Sequence, residues 1–282
     1  MTGPSVPGAR IGQAFARARD EDRVALLPYV MTGYPDLETS EALALALAQA
    51  GADVIELGIP FSDPLADGVT IQHAGQVALD RGTTLGTSLS LAGRLSTQID
   101  VPVILMGYFN PIFSFGVERF CVHAAAAGVA GLIVPDLPPE EAVPLAIAAE
   151  RRGIELIYLV SPTSPDARIR LVAHAADRTG NGFVYCVSIS GVTGARDTLS
   201  EQLPDLLARV RAHTKLPLAV GFGISRAEHV TRVGALADGA VVASALLNAV
   251  DAARADERVM AGVAFFKGLL IGAQRHERMD EA

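Results

Sequence analysis

Short apolar runs alternate along this chain with longer Ala- and Leu-rich stretches of helical period, and this alternation constrains the fold more than any other feature. The runs are apolar at nearly every position, which is typical of strands buried on both faces of a parallel sheet. Parallel neighbours need a crossover connection, and the intervening stretches are long enough to supply one as a helix. The predicted strands are Val24–Met31, Asp53–Gly58, Val103–Met106, Gly131–Val134, Glu155–Val160, Phe183–Val187, Leu218–Gly221 and Ala240–Ala243.

The helical stretches carry start and stop signals. In the first one after a strand, Leu43 and Leu47 share a face, Asp36 is a suitable N-cap and Gly51 a suitable stop. Helices are predicted near 9–20, 37–50, 86–97, 116–127, 139–152, 165–177, 203–213, 225–233 and 256–274.

Eight strands, each followed by a helix within 282 residues, predict one (β/α)8 TIM barrel with an extra N-terminal helix. We expect a single barrel domain over residues 1–282. An open, doubly wound sheet is the alternative, because the number of strands does not prove that the sheet closes.

Composition and charge narrow the functional classes. Half of the residues are apolar and 19% are charged, which supports a large core and excludes wholesale disorder. The net charge of −8 argues against a general nucleic-acid binder, which normally presents a basic face. Cys121 and Cys186 have no metal-like spacing, the first residues lack the apolar core of a signal peptide, and no long apolar run predicts a membrane span. We therefore expect a soluble, cytoplasmic protein.

Two carboxylates in residues 51–70, GADVIELGIPFSDPLADGVT, are the first candidates for chemistry. Strand periodicity places Ile55 and Leu57 on one face and Glu56 on the other, pointing into a barrel near its C-terminal end. Barrel enzymes keep their active sites at that end. Asp67 follows on a loop punctuated by Pro and Gly. Burial raises the pKa of a carboxyl group toward the range that is useful for proton transfer.

Each carboxylate also has a structural alternative. Glu56 would be a structural acid if a barrel Arg or Lys paired with it, but no basic residue falls within the predicted strands. Asp63 and Asp67 are both candidates for facing the site, and the alternative for each is to cap the helical segment that starts near Thr70. For Asp63 we favour capping. For Asp67, the residues alone leave capping and catalysis equally open.

Tyr185 and the loop after it form a second candidate region. Tyr185 shares the inward face of its predicted strand with Phe183 and Val187, a position where Tyr more often serves packing than chemistry. The following stretch, SISGVTGAR (188–196), is glycine-rich and predicts a mobile loop that closes over a ligand. An ordinary surface loop is the alternative.

The last two predicted strands lead into helices through small residues, in GFGIS (221–225) and VVASA (241–245). Free N–H groups and a favourable dipole at each helix start predict the phosphate site that many barrels carry there. The six histidines are scattered and none has a ligand-like spacing from Cys or carboxylates, so we predict no metal site.

Six motifs follow one another along the chain: PYVMTGYPD (28–36), GADVIELGIPFSDPLADG (51–68), LMGYFNPI (105–112), GLIVPDLPPEE (131–141), SGVTGAR (190–196) and GFGIS (221–225). In this order they resemble the tryptophan synthase alpha chain family over roughly residues 10–275, and ELGIPFSDPLADG is highly specific. The resemblance implies a (β/α)8 barrel that cleaves indole-3-glycerol phosphate to indole and glyceraldehyde 3-phosphate. It implies no cofactor in this chain, and as partner a beta chain that carries pyridoxal phosphate, in an α2β2 heterotetramer.

The resemblance also implies roles for individual residues. Glu56 would be the acid/base, Asp67 would accept the indole N–H, and Tyr185 would assist or position. Positions matching residues that line the family's pocket or interface are Tyr29, Tyr108 and Asn110. Positions matching its substrate and phosphate contacts, mainly through backbone N–H groups, are Thr193, Gly194, Phe222, Gly223, Ala243 and Ser244.

Two positions depart from the family pattern. Ala243 stands where the family usually has Gly, and a conformation with positive φ would be costly for it. Ile189 stands where many members carry a basic residue, so loop closure or coupling to a partner is expected to differ.

Three functions remain open from the sequence. The chain is expected to be a catalytic alpha subunit; the alternatives are a free-standing lyase that releases indole without a partner, and a non-catalytic subunit that activates the beta chain. Intact Glu56 and Asp67 argue against the last of these.

Overall fold

The computed structural model describes residues 8–187, 202–221 and 223–274 of the chain. The predicted positions Ile189, Thr193, Gly194 and Phe222 lie outside the described residues. The strands are β1 (Ala25–Met31), β2 (Ile55–Gly58), β3 (Val103–Met106), β4 (Gly131–Ile133), β5 (Glu155–Ile157), β6 (Leu159–Val160), β7 (Val184–Val187), β8 (Leu218–Gly221) and β9 (Gly239–Val242). The helices are α1 (Ala9–Asp20), α2 (Leu37–Gln49), α3 (Val69–Asp80), α4 (Leu85–Ser96), α5 (Phe109–Phe115), α6 (Val117–Ala126), α7 (Val143–Glu150), α8 (Asp166–Ala176), α9 (Leu203–Arg211), α10 (Ala227–Gly234), α11 (Ser244–Asp251) and α12 (Arg258–Leu270).

The sheet closes on itself through one interrupted strand. Its parallel strands follow the order β5–β4–β3–β2–β1–β9–β8–β7–β6. The two ends of this order, β5 and β6, are separated along the chain by Tyr158 alone, so they are two parts of the predicted strand Glu155–Val160. The first part pairs with β4 and the second with β7, while the Tyr158 carbonyl accepts the Tyr185 N–H at 3.0 Å. The predicted (β/α)8 barrel is confirmed, and the open sheet is wrong.

Side chains alternate between the barrel interior and the layer under the helices. Val54, next to β2, lies in the interior cluster, whereas Ile55 and Leu57 lie in the cluster beneath the helices. The predicted N-terminal helix α1 adds Ile11 and Phe15 to the interior cluster and covers the N-terminal mouth of the barrel. Because successive side chains of a strand point to opposite faces, this phase sends Glu56 toward the barrel axis.

Helix α2 begins and ends at its predicted signals. The Asp36 carboxylate accepts the Thr39 N–H at 2.7 Å, which satisfies one of the unpaired donors of the first turn. The helix stops before Gly51, whose φ of +108° is a conformation that glycine adopts without steric cost.

Other boundaries differ from the prediction. The predicted helix 139–152 is shorter, since a turn bonds the Glu141 N–H to the Pro138 carbonyl before α7 begins at Val143. Helix α5 was not predicted, because its sequence FNPIFSF contains Pro111; the proline falls in the first turn, where a missing N–H costs no hydrogen bond. No helix in the described ranges is long and apolar enough to cross a membrane.

A buried ion pair ties the N-terminal ends of the first two strands together. Arg23 binds Asp53 through two bonds, Nη1 to Oδ2 at 2.6 Å and Nη2 to Oδ1 at 2.8 Å. The same Oδ2 accepts the Leu26 N–H at 2.8 Å, and Asp53 is only 4% exposed. A bidentate, hydrogen-bonded pair is the arrangement in which a buried carboxylate is tolerated.

Asp53→Ala should therefore lower the free energy of unfolding by about 3 kcal/mol, because it leaves a half-buried guanidinium and a buried N–H without their acceptor. Urea denaturation measures the change. Glu41→Ala is the matched control, since it breaks the more exposed Arg94–Glu41 pair and should cost about 1 kcal/mol or less. Equal losses in the two variants would contradict the role given to Asp53.

Candidate active site

A cavity of about 430 Å³ opens at the C-terminal end of the barrel. Strands β1, β2, β3, β6, β7 and β9 contribute to its wall, together with the loops that follow β2 and β8 and the start of α11. Its lining residues are Tyr29, Glu56, Ala66, Asp67, Ile71, Met106, Pro135, Leu159, Tyr185, Val187, Gly223, Ile224, Ser225, His229, Val241, Ala243, Ser244, Ala245 and Asn248. Apolar and aromatic side chains form most of this lining, and a few polar groups converge on it, as is usual for a small-molecule site.

Glu56 reaches this cavity from the middle of the barrel wall. It lies on β2 opposite Tyr29 of β1 and Ile104 of β3, and it is 1% exposed. Its Oε2 has no hydrogen-bond partner among the described residues. Burial raises the pKa of the Glu56 carboxyl to about 8, and the nearby Asp67 charge adds to the rise. Near neutral pH this group therefore holds a proton that it can donate.

Asp67 enters the same cavity from the loop after β2. The N-cap of α3 is Gly68, with no side-chain capping bond, so the capping alternative for Asp67 is wrong. Burial raises the pKa of Asp67 to about 6, and a hydrogen bond with Tyr108 works in the opposite direction. Asp67 is thus mostly ionised at a pH where Glu56 is mostly protonated.

Tyr108 fixes the position of the loop that carries Asp67. Its hydroxyl accepts the Ala66 N–H at 2.9 Å and bonds the Asp67 carboxylate, and its ring stacks on Phe61 with centroids 5.1 Å apart. Tyr108 is 5% exposed, just before α5. Tyr108 does not line the cavity, so its contribution to the site is indirect: it holds Asp67 in position.

Asp63 and Asn110 lie outside the cavity. Asp63 is exposed and accepts the Ser62 hydroxyl at 2.5 Å, with no bond to α3, so the predicted capping role for Asp63 is wrong. Asn110 lies exposed on α5 and does not line the cavity.

Two tyrosines line the cavity because two strand glycines make room for them. The Tyr29 hydroxyl lies where a Cβ on Gly58 would stand, and the Tyr185 ring occupies the corresponding space at Gly221. Burial and the two cavity carboxylates raise the pKa of both tyrosines well above the ordinary value. Both therefore stay neutral and can only donate or accept hydrogen bonds.

A further group of lining residues belongs to the loop after β8 and to the junction between β9 and α11. Helix α11 begins at Ser244 directly after β9, so the N–H groups of its first turn have no acceptor within the helix. Ala243 has a φ of −116°, so it does not adopt the positive φ that would be costly for an alanine. Gly223, with a φ of +80°, borders the same part of the cavity. Thr193, Gly194 and Phe222 fall outside the described residues.

His229 is a lining residue that the sequence did not reveal. It is the third residue of α10, and the Ser225 N–H donates to its Nδ1 at 3.3 Å. The signal was a histidine four residues after a serine in the loop that follows β8, a spacing that carries little information by itself. Among the described residues, no group of three or more His, Cys, Asp or Glu is placed to hold a metal ion.

Comparison with known proteins points to one family. A model of the tryptophan synthase alpha chain family matches residues 15–270. The tryptophan synthase alpha chain of Chloroflexus aggregans is 47% identical over 268 residues, covering 94% of this chain and 98% of the relative. That of Roseiflexus castenholzii is 49% identical over 260 residues, covering 92% and 98%.

Solved structures agree with this result. A structure of Mycobacterium tuberculosis tryptophan synthase superposes with a TM-score of 0.86 at 37% identity, covering 95% of this chain and 99% of that one. The alpha chain from Legionella pneumophila superposes with a TM-score of 0.83 at 34% identity, covering 93% and 96%. This chain belongs to the tryptophan synthase alpha chain family.

Proposed function

We propose that this chain cleaves indole-3-glycerol phosphate to indole and glyceraldehyde 3-phosphate. Family membership makes it a lyase of tryptophan biosynthesis, and the specific reaction is our inference. The observation that supports it best is the pair Glu56 and Asp67, which border one cavity with raised pKa values of about 8 and about 6. Two carboxyl groups held in different protonation states supply an acid and an anion at the same pH.

The proposed cleavage uses protonated Glu56 and ionised Asp67. Protonated Glu56 donates its proton to C3 of the indole ring, and the positive charge that develops at the ring nitrogen is stabilised by ionised Asp67, which accepts the N–H. The Glu56 carboxylate then removes the proton of the glycerol hydroxyl next to the ring. The carbon–carbon bond breaks, its electron pair returns to the ring and neutralises the nitrogen, and Glu56 ends protonated as it began. Tyr185, neutral and buried against the same carboxylates, assists by positioning.

The phosphate group is assigned to the part of the cavity lined by Gly223, Ala243 and Ser244. The first turn of α11 offers unpaired N–H groups and the positive end of a helix dipole there, which favour an anion. Tyr29 and the apolar lining residues Ile71 and Leu159 provide surface for the indole ring.

We further propose that the chain works with a beta chain carrying pyridoxal phosphate in an α2β2 heterotetramer in the cytoplasm. The family assignment supports a beta chain partner, and so does the similarity to a solved tryptophan synthase structure. This chain itself needs no cofactor for the cleavage, because proton transfer and charge stabilisation suffice.

Glu56→Gln should lower the rate of indole release by about 10²-fold or more, because an amide of the same shape donates no acidic proton. The assay measures indole formed from indole-3-glycerol phosphate, with and without beta chain. Activity near that of the wild type would rule out Glu56 as the proton donor.

The stability of the Glu56→Gln variant serves as the control for its loss of activity. Glu56 holds its proton in the folded state up to a pH of about 8 but loses it near 4.5 when unfolded, so wild-type stability falls as pH rises through that window. The wild type loses about 1.4 kcal/mol of unfolding free energy for each unit by which the pKa is raised, and Glu56→Gln avoids this loss. Urea denaturation at pH 8 should therefore find the variant at least as stable as the wild type.

The pH profile of kcat/KM should be bell-shaped, falling below about pH 6 as Asp67 becomes protonated and above about pH 8 as Glu56 ionises. Tyr108→Phe removes a hydrogen bond that lowers the pKa of Asp67, so the acid limb should move to higher pH. Asp67→Asn should abolish that limb together with most of the rate. Tyr158→Phe, in the layer under the helices, is the control and should leave the profile unchanged. An acid limb that stays in place in Tyr108→Phe would contradict this assignment.

Indole release by the isolated chain and by its mixture with beta chain separates the three candidate functions. A catalytic alpha subunit should show measurable release alone and a higher kcat with beta chain. High turnover without any stimulation would indicate a free-standing lyase. No release in either case, with faster beta-chain turnover on added indole, would indicate an activating subunit.

A further inference from the structure

His229 is a buried base at the end of the cavity assigned to phosphate. It is 9% exposed and lines the cavity beside Gly223, Ile224 and Ser225. Its position as third residue of α10 directs the side chain back over the start of the helix, onto the loop that leaves β8. A polar ring with so little exposure needs hydrogen-bond partners.

One nitrogen of the ring is engaged by the chain itself. Nδ1 accepts the Ser225 N–H at 3.3 Å and lies 3.4 Å from the Ser225 hydroxyl oxygen. In a neutral imidazole an accepting Nδ1 requires the proton on Nε2, so the free nitrogen is a donor. Nε2 has no hydrogen-bond partner among the described residues, and the ring borders the cavity.

The charges that line the cavity leave a need for neutral hydrogen-bond donors if a phosphate group is to bind there. Among the described lining residues there are two carboxylates, Glu56 and Asp67, and neither Lys nor Arg. As far as the described lining is concerned, a phosphate dianion would therefore be held by N–H and O–H donors rather than by fixed cations. The Ser225 N–H donates to His229 Nδ1, so this backbone group does not donate to a ligand in the cavity. The Nε2–H of the ring can take its place as a donor.

We propose that His229 binds the phosphate group of the substrate through Nε2–H, while Nδ1 holds the loop residues 223–225 in position. This assignment rests on the proposed function, since it takes the substrate to be a phosphate ester. His229 takes no part in the proposed proton-transfer steps, so its substitution should raise KM and leave kcat nearly unchanged.

Two substitutions separate the two nitrogens. His229→Asn keeps an acceptor near Nδ1 and removes the Nε2 donor, so KM for indole-3-glycerol phosphate should rise about tenfold, the effect of a hydrogen bond to a charged group, with kcat within about twofold. His229→Gln places an amide N–H near the position of Nε2 and should recover most of the lost affinity. His174→Asn, at an exposed position on α8, is the matched control and should change neither constant. An unchanged KM in His229→Asn, or an equal loss in both His229 variants, would overturn the proposal.

A binding measurement on the wild-type chain decides the same question without catalysis. Titration with glycerol 3-phosphate, followed by ¹⁵N NMR of the imidazoles, should show Nε2 of His229 protonated beforehand and shifted on binding, with His174 unaffected. A His229 signal that does not move as the ligand saturates would overturn the proposal even if lyase activity is present. A shift without any lyase activity would support His229 as a phosphate ligand and refute the proposed function instead.

Discussion

The site depends on one buried carboxyl group, Glu56 on β2, one oxygen of which has no hydrogen-bond partner in the described part of the chain. A parallel barrel excludes water from its wall, and the described structure provides no cation and no hydrogen-bond donor for Oε2. A charged form is therefore costly, and the proton stays bound to a pH of about 8. Register fixes this result, because a slip of one residue would turn Glu56 outward among the helices and bring Leu57 inward. The acidity of the group is thus a consequence of strand phase.

The second carboxyl group depends on an anchor far away in the sequence. The loop after β2 carries Asp67 back over the cavity, and Tyr108, which follows β3, bonds both the Ala66 N–H and the Asp67 side chain. Because neighbouring parallel strands bring their C-terminal ends together, the loops after β2 and β3 meet at one edge of the barrel. The same contact lowers the pKa of Asp67 against the effect of its burial, which separates the two carboxyl groups in acidity.

The sequence predicted those features that depend on local period. Strand phase gave the direction of Glu56, and the cap at Asp36 and the stop at Gly51 gave the bounds of α2 to within one residue. It did not predict the interruption at Tyr158, since closure of a barrel splits the pairing of one strand between two neighbours and leaves no mark on hydrophobicity.

Residues whose role depends on contacts across the chain were harder to predict. Asp63 and Asp67 stand four residues apart on one loop, and only the bond to Tyr108 and the position of the cavity distinguish them. His229 is similar, because a helical period places it on α10 but says nothing about the loop on which its ring rests. For Ala243, the family pattern suggested a positive φ, whereas the backbone has a φ of −116°.

Asp53 and Glu56 show how the barrel divides stability from chemistry. They are three residues apart, 4% and 1% exposed, and both are carboxylates in a setting that disfavours charge. At the N-terminal end of the barrel, Asp53 meets Arg23 and the Leu26 N–H, so its charge is fully paired and helps to hold β1 and β2 together. At the C-terminal end, one Glu56 oxygen has no hydrogen-bond partner among the described residues, and burial together with the Asp67 charge raises the pKa of this carboxyl group to about 8. Supplying Glu56 with a similar cation would stabilise the charged form and remove the proton that the proposed cleavage needs. The ion pair of Asp53 can therefore offset the stability that the burial of Glu56 costs. One short segment thus holds a stabilising carboxylate and a proton-donating carboxyl group.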